Sequence, residues 1–177
     1  SFTSDSNTKF LAFSTPYVAD LSSNSHTITT SGDPVIKGIS PFTHSGYSSS
    51  SHGGSMRFDG TNDYLSATTT ALGTGDWTVE YWVYHNDFSD NQIHAAWGSY
   101  SPAFYYRHTS GRFAFYSGGA NSINSVTPVA KRWYHIAWVH DDSANTIKAY
   151  VNGKLEHTIS SYTTNLSATN LIIGGDV

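Results

Sequence analysis

Cysteine is absent from the 177 residues. That excludes disulfides, thiolate metal sites and a cysteine nucleophile, and it leaves the compartment open. Charge is scarce. Asp, Glu, Lys and Arg make up 12% of the chain, against a usual share of about 25%. The nine Lys and Arg residues form no run and the formal net charge is −4, which argues against a nucleic-acid role. No apolar run approaches the ~20 residues of a membrane span, which argues against membrane insertion. Helical periodicity is missing throughout. The chain starts at serine rather than methionine and shows no signal-peptide pattern, so it reads as processed or as a piece of a longer protein.

What remains is aromatic and neutral-polar. Phe, Trp and Tyr supply 15% of the residues, and Ser, Thr, Gly and Asn fill the rest of the surface. That is the wrong composition for disorder. A single domain over residues 1–177 can bury roughly 70% of its unfolded surface and needs no staples. Short alternating segments, separated by turn residues, predict strands at 9–13, 26–30, 55–59, 63–67, 77–85, 93–98, 103–108, 112–117 and 122–127. Four more follow at 133–140, 146–151, 155–159 and 170–174. This spacing predicts an all-β sandwich or barrel. The stretch 40–54, SPFTHSGYSSSSHGG, reads as a flexible surface loop.

The segment 133–159 is the most explicit. Trp133, His135, Ala137 and Val139 share one face, and Tyr134, Ile136, Trp138 and His140 the other, so this strand is expected to be buried on both sides or nearly so. Asn152-Gly153 matches a type I′ hairpin turn. Leu155, His157 and Ile159 are expected to return on one face. In WTVEYWVY, 77–84, Trp77, Val79, Tyr81 and Val83 face opposite to Thr78, Glu80, Trp82 and Tyr84. Glu80 among aromatics is either a perturbed acid or a hydrogen-bonded structural residue.

Four segments occur in a telling order: MRFDGTNDYLS (56–66), WTVEYWVY (77–84), KRWYHIAWVHDDSANTIKAYVNGK (131–154) and NLIIGG (170–175). Together they resemble the laminin-G-like domains of the concanavalin-A-like superfamily. The resemblance implies a two-sheet antiparallel jelly-roll β-sandwich. DLSSNSHTITTSGDPVI (20–36), followed by SHGGSMRFDGTNDYLS (51–66), is similar to the version of this domain in tailed-phage virion proteins. In the family one more strand follows "IGG". Here Asp176-Val177 ends the chain, so the expectation is truncation or an edge covered by another segment.

The superfamily includes laminarinase-type glucanases, which carry two carboxylates about 5 Å apart on one strand. The chain has only Glu80 and Glu156, in different elements, so no hydrolase is expected. The resemblance also implies a rim Ca2+ held by hard oxygen ligands. Asp59, Asp63, Asp76, Asp87, Asp90, Asp141, Asp142 and Asn145 are candidates, with Asp141, Asp142 and Asn145, or the 86–91 loop, preferred. The competing reading makes these residues turn formers. Nine histidines show no His-Glu-x-x-His or His-x-His spacing, and His135 is expected to be a hydrogen-bonded core residue. Protonating all nine would carry the formal charge from −4 to +5, so acid is expected to weaken assembly.

Aromatic rings can stack on the C–H faces of sugars. Trp97, Tyr100, Tyr105 and Tyr106 are the expected ligand platform, with Tyr116 and Tyr162 also weighed. Core packing is the alternative for alternating aromatics such as Phe113 and Phe115. The expected function is non-enzymatic: a virion-surface protein, either capsid decoration or fibre component, presenting the domain for glycan or protein contact. Its partners would be other virion proteins, a second copy of itself or a host glycan. The alternative is a secreted carbohydrate-binding module of a bacterial enzyme or adhesin.

Overall fold

The computed structural model describes residues 4–12, 17–42, 48 and 54–175. Among them are thirteen strands. They are β1 (Ile28–Ser31), β2 (Val35–Lys37), β3 (Ser55–Arg57), β4 (Tyr64–Thr68), β5 (Trp77–Tyr84), β6 (Gln92–Trp97) and β7 (Ala103–Arg107). Then come β8 (Arg112–Tyr116), β9 (Ala120–Ser122), β10 (Trp133–Asp141), β11 (Thr146–Val151), β12 (Lys154–Ser160) and β13 (Asn170–Ile173). The described residues contain no α-helix, only a 3-10 turn at His108–Ser110. The chain forms two compact units, Ser1–Thr70 with Thr169–Val177, and Ala71–Ala168.

In the first unit β4 pairs antiparallel with both β1 and β13. The registers Ile28↔Ala67 and Leu171↔Ala67 put three apolar residues on one face. Thr29 and Ser66 oppose each other on the other face. β2 and β3 make a separate ribbon. At Gly32 and Gly174 a positive φ and a close approach coincide. Gly32 has φ +70°, and a Cβ there would lie 2.3 Å from Asp63 Oδ1. Gly174 has φ +84°, and its Cβ would lie 2.4 Å from the Phe58 ring. Side chains at such positions are strained whatever the space.

The segment 9–12 forms no strand, and Phe13 lies outside the described residues. Asp20 organises this segment instead. Its buried carboxylate accepts the N–H groups of Leu11 (2.9 Å), Ser22 (2.9 Å) and His26 (2.9 Å), and it meets His26 Nδ1 at 2.7 Å. Burial alone would push the Asp20 carboxyl up, but these donors outweigh it and hold it at about 2.

The second unit is a sandwich. One sheet runs β6–β7–β8–β9 and the other runs β12–β11–β10–β5. Phe104 and Phe115 from the first meet Trp138 of the second at 6.1 and 5.8 Å between ring centroids. Phe113 meets Tyr134 edge-on at 5.3 Å. Phe104, Phe115, Ile136, Trp138 and Ile147 are fully buried. Period-two alternation supplies these inner faces.

The structure changes several expectations. β10 is fully buried on one face and only partly on the other, where Ala137 is buried. Tyr134, Ile136, Trp138 and His140 form the core face, while Trp133, His135 and Val139 are half-buried outside. Leu155 does not share a face with His157 and Ile159. Ala149 pairs with His157 but Tyr150 pairs with Leu155, so Glu156 is an extra, bulged residue. A bulge inverts the side-chain alternation, and Leu155 is left outside at 47% exposure. The strand predicted at 122–127 is instead β9, ending at Ser122, with Ile123 as a buried anchor. β2 was not predicted. Three residues after Pro34 are too few to show a period. Of the expected loop 40–54, residues 43–47 and 49–53 lie outside the described residues.

Candidate functional site

Trp97, Tyr105 and Tyr106 are buried, at 6%, 9% and 5% exposure. Their rings pack on protein: Trp97 lies edge-on to Phe104, and Tyr106 lies 4.2 Å from Phe88. Tyr100 is half-buried at a positive φ, with its hydroxyl enclosed. Trp97 on β6 and Tyr106 on β7 turn their rings inward, while Tyr105 points to the opposite face from Phe104 and Tyr106 but is covered there, and Tyr100 sits in the turn between the two strands. Tyr162 is buried as well, and Tyr116 is exposed.

Partly open rings occur elsewhere, on the outer face of β5, β10 and β11. The register places Tyr84 opposite Trp133, Trp82 opposite His135 and Glu80 opposite Ala137. Ala137 is followed across the sheet by Tyr150, and Tyr150 by Leu155. Tyr84 and Trp133 lie 5.4 Å apart, and Trp82 and His135 lie 5.2 Å apart. All four, with Tyr150, are half-buried. His135 is therefore not a core residue. Odd-numbered residues of β10 face outward, and its Nε2 lies 3.4 Å from Glu80 Oε2. The Glu80 side chain is 41% exposed. The alternation of both strands was readable, and what hid the site was which face each strand would bury.

The carboxylates divide into turn formers and one cluster. Asp141 Oδ1 accepts Ser143 Oγ–H at 2.8 Å and the Ala144 N–H at 3.0 Å. Those bonds, Ser143 first, hold its carboxyl below the usual range. Asp142 donates its N–H to Asp76 Oδ1, and its carbonyl accepts the Asn145 N–H at 3.2 Å. Asp87 accepts from Ser89. By contrast, Asp33, Asp59 and Asp63 bring carboxylate oxygens within 4.8 Å of one another. Asp63 is buried and accepts the N–H groups of Asp33 (2.7 Å) and Asp59 (2.9 Å). Asp33 and Asp59 are exposed. Three carboxylates with remaining lone pairs suit a hard divalent cation. Asp33 was missed because thirty residues separate it from Asp63.

An open polar cleft of about 390 Å3 lies in the first unit, lined by His26, Thr27, Thr29, Ser66, Thr68 and Asn170. Hydroxyls and an amide line it with no ring larger than an imidazole. It can hydrogen-bond a polar ligand but gives little apolar area.

Residues 59–177 match the profile of the concanavalin A-like lectin/glucanases superfamily. The receptor binding domain of botulinum neurotoxin C/D mosaic serotype is similar in structure, with a TM-score of 0.72 at 10% identity, over 96% of this chain and 43% of that one. The binding domain of botulinum neurotoxin DC, solved in complex with rat synaptotagmin II, gives 0.68 at 12% identity, over 96% and 44%. A candidate carbohydrate binding protein from Bacteroides ovatus gives 0.50 at 18% identity, over 58% and 32%. The chain spans less than half the length of these structures, and the likeness shows the fold, an all-β jelly-roll sandwich. No curated protein matches the sequence.

Proposed function

Because the chain belongs to the concanavalin A-like lectin/glucanases superfamily, we propose that it is a non-enzymatic, lectin-like contact domain. Its saccharide surface is the outer face of β5, β10 and β11. The observation that carries this reading is the aromatic ladder Tyr84–Trp133 and Trp82–His135, flanked by Glu80 and Tyr150. Rings provide flat apolar area at low entropy cost, and the carboxylate and imidazole beside them can hold hydroxyls. Glu80 on β5 and Glu156 on β12 stand at opposite edges of one sheet. Three strand spacings separate those edges by roughly 14 Å, beyond the ~5–9.5 Å of paired catalytic carboxylates.

Trp133→Ala is expected to weaken glycan binding about tenfold, the loss of one stacked ring at roughly 1–1.5 kcal/mol. A glycan array followed by calorimetry on the best sugar checks it, with an unfolding curve to show that the sheet persists. Binding unchanged in both Trp133→Ala and Tyr84→Ala would move the contact away from this face.

The same face serves a virion-surface component, as capsid decoration or fibre, or a secreted carbohydrate-binding module. A virion component co-purifies in stoichiometric copies with other structural proteins, whereas a secreted module binds its sugar alone. The reading includes Ca2+ at Asp33, Asp59 and Asp63. Millimolar Ca2+ is expected to raise the unfolding midpoint and to lose that effect in Asp33→Asn, where no buried hydrogen bond of the side chain is removed. An identical midpoint with Ca2+ and with EDTA would remove the metal from the account.

A further inference from the structure

A chain of hydrogen bonds links β5 in one sheet of the second unit to β6 in the other, with His85 buried and Tyr81, His94 and Gln92 half-buried. The Tyr81 hydroxyl lies 2.9 Å from His94 Nδ1. His94 Nε2 lies 3.0 Å from His85 Nε2. His85 Nδ1 meets Gln92 Oε1, and Gln92 Nε2 donates to the Asp87 carbonyl at 2.9 Å.

One arrangement of protons satisfies every link. A carbonyl only accepts, so the Gln92 amide turns its NH2 to Asp87 and its oxygen to His85. That oxygen only accepts, so His85 Nδ1 carries a proton. His85 Nε2 is then a lone pair, and His94 Nε2–H must donate to it. His94 Nδ1 is left as a lone pair for the Tyr81 O–H. Both imidazoles are neutral.

Adding a proton undoes this order. If His85 Nε2 takes one, His94 must shift its own proton to Nδ1, and the Tyr81 O–H loses its acceptor. A second proton sets N–H against N–H at a 3.0 Å spacing. The surroundings give the charge little support. Phe88, Tyr106 and Phe113 ring the pair at 5.0 to 6.1 Å. Tyr81 faces it from β5, Gln92 from β6 and Tyr106 from β7. From β10, the Tyr134 ring packs edge-on to Phe113, and its hydroxyl accepts the Val129 N–H. Among the described residues the carboxylate that acts on His85 is Asp87, which is exposed and engaged by Ser89.

We propose that this chain is an acid-sensitive latch, holding edge strand β5 of one sheet to β6 of the other while His85 and His94 are neutral, and releasing it when they take up protons. Burial, reinforced by the neighbouring His85, holds His94 well below the ordinary histidine range. Burial also lowers His85, against the opposing pull of Gln92 and Asp87. Rings depressed in this way stabilise the fold fully above an unfolded value of about 6.5. Below it the unfolded chain binds protons that the folded chain refuses, so stability falls as pH falls. Each ring takes at most a tenfold factor from the folding constant per pH unit, and the pair at most about a hundredfold.

The test has two arms on the full chain. Long-range 1H–15N spectra are recorded from about pH 8 to about pH 5. The expected result is His85 as the Nδ1–H tautomer and His94 as the Nε2–H tautomer, with neither ring charged while the protein is folded. Two rings that titrate near the ordinary value in the folded protein overturn the proposal. Urea unfolding of wild type and His94→Phe over the same range isolates the pair from the other seven histidines. The variant is expected to lose tenfold less in its folding constant per pH unit. Equal slopes overturn the latch, and if the variant does not fold the wild-type spectra decide.

Discussion

Trp138→Ala is expected to destabilise the protein by about 3–5 kcal/mol, which approaches the whole margin of many domains. Trp138 is fully buried. Its cross-strand partners are Val79 on β5 and Ala149 on β11, and the facing sheet meets it through Phe104 and Phe115. None of these can swing into the space left by an indole. Ala149 is too small, and the two phenylalanines are themselves fully buried. The loss is therefore transfer free energy plus a cavity. Trp138→Phe refills most of the volume and is expected to cost about half as much. Urea denaturation checks both variants, and an unchanged m-value shows that the folded state still unfolds as one unit. A cost under about 1 kcal/mol for the alanine variant would mean that the two sheets do not share this core.

Asp63→Ala is expected to cost about 2–6 kcal/mol. The carboxylate is the common acceptor for two backbone N–H groups, from Asp33 after β1 and from Asp59 after β3. At 4% exposure water does not readily replace it, and each orphaned donor costs about 1–3 kcal/mol. Gly32 allows the approach, since any Cβ there would collide with Asp63 Oδ1. Asp63→Asn keeps one acceptor oxygen and turns an NH2 against the other donor, so it is expected to fall between wild type and alanine. Thermal unfolding in EDTA measures the hydrogen-bond effect free of any cation. Equal midpoints for wild type and Asp63→Ala would show that the two loops hold without this clamp.

The local elements were legible because they depend on neighbours in sequence. The Asn152-Gly153 turn has positive φ at both residues, 51° and 80°, as a type I′ hairpin requires. β5, β7, β8, β10 and β11 lie where alternation placed them. The bulge at Glu156 was not legible, because it comes from the fit of β12 against β11. The burial of Trp97, Tyr105 and Tyr106 was not legible for a related reason. HAAWGSYSPAFYYR and WTVEYWVY are equally rich in rings, and composition does not say which rings face another sheet.

The sequence alone determined that this chain is all-β, with short strands, polar turns and no thiol chemistry, since period, turn residues and composition are local properties. It also carried the motifs of its superfamily. Only the tertiary structure decided which aromatics became core and which became surface. It also decided that Asp33 joins Asp59 and Asp63, and that His85, His94, Gln92 and Tyr81 share one line of protons. Each depends on strands and loops far apart in sequence meeting at distances of a few ångströms, which alternation along one strand does not encode.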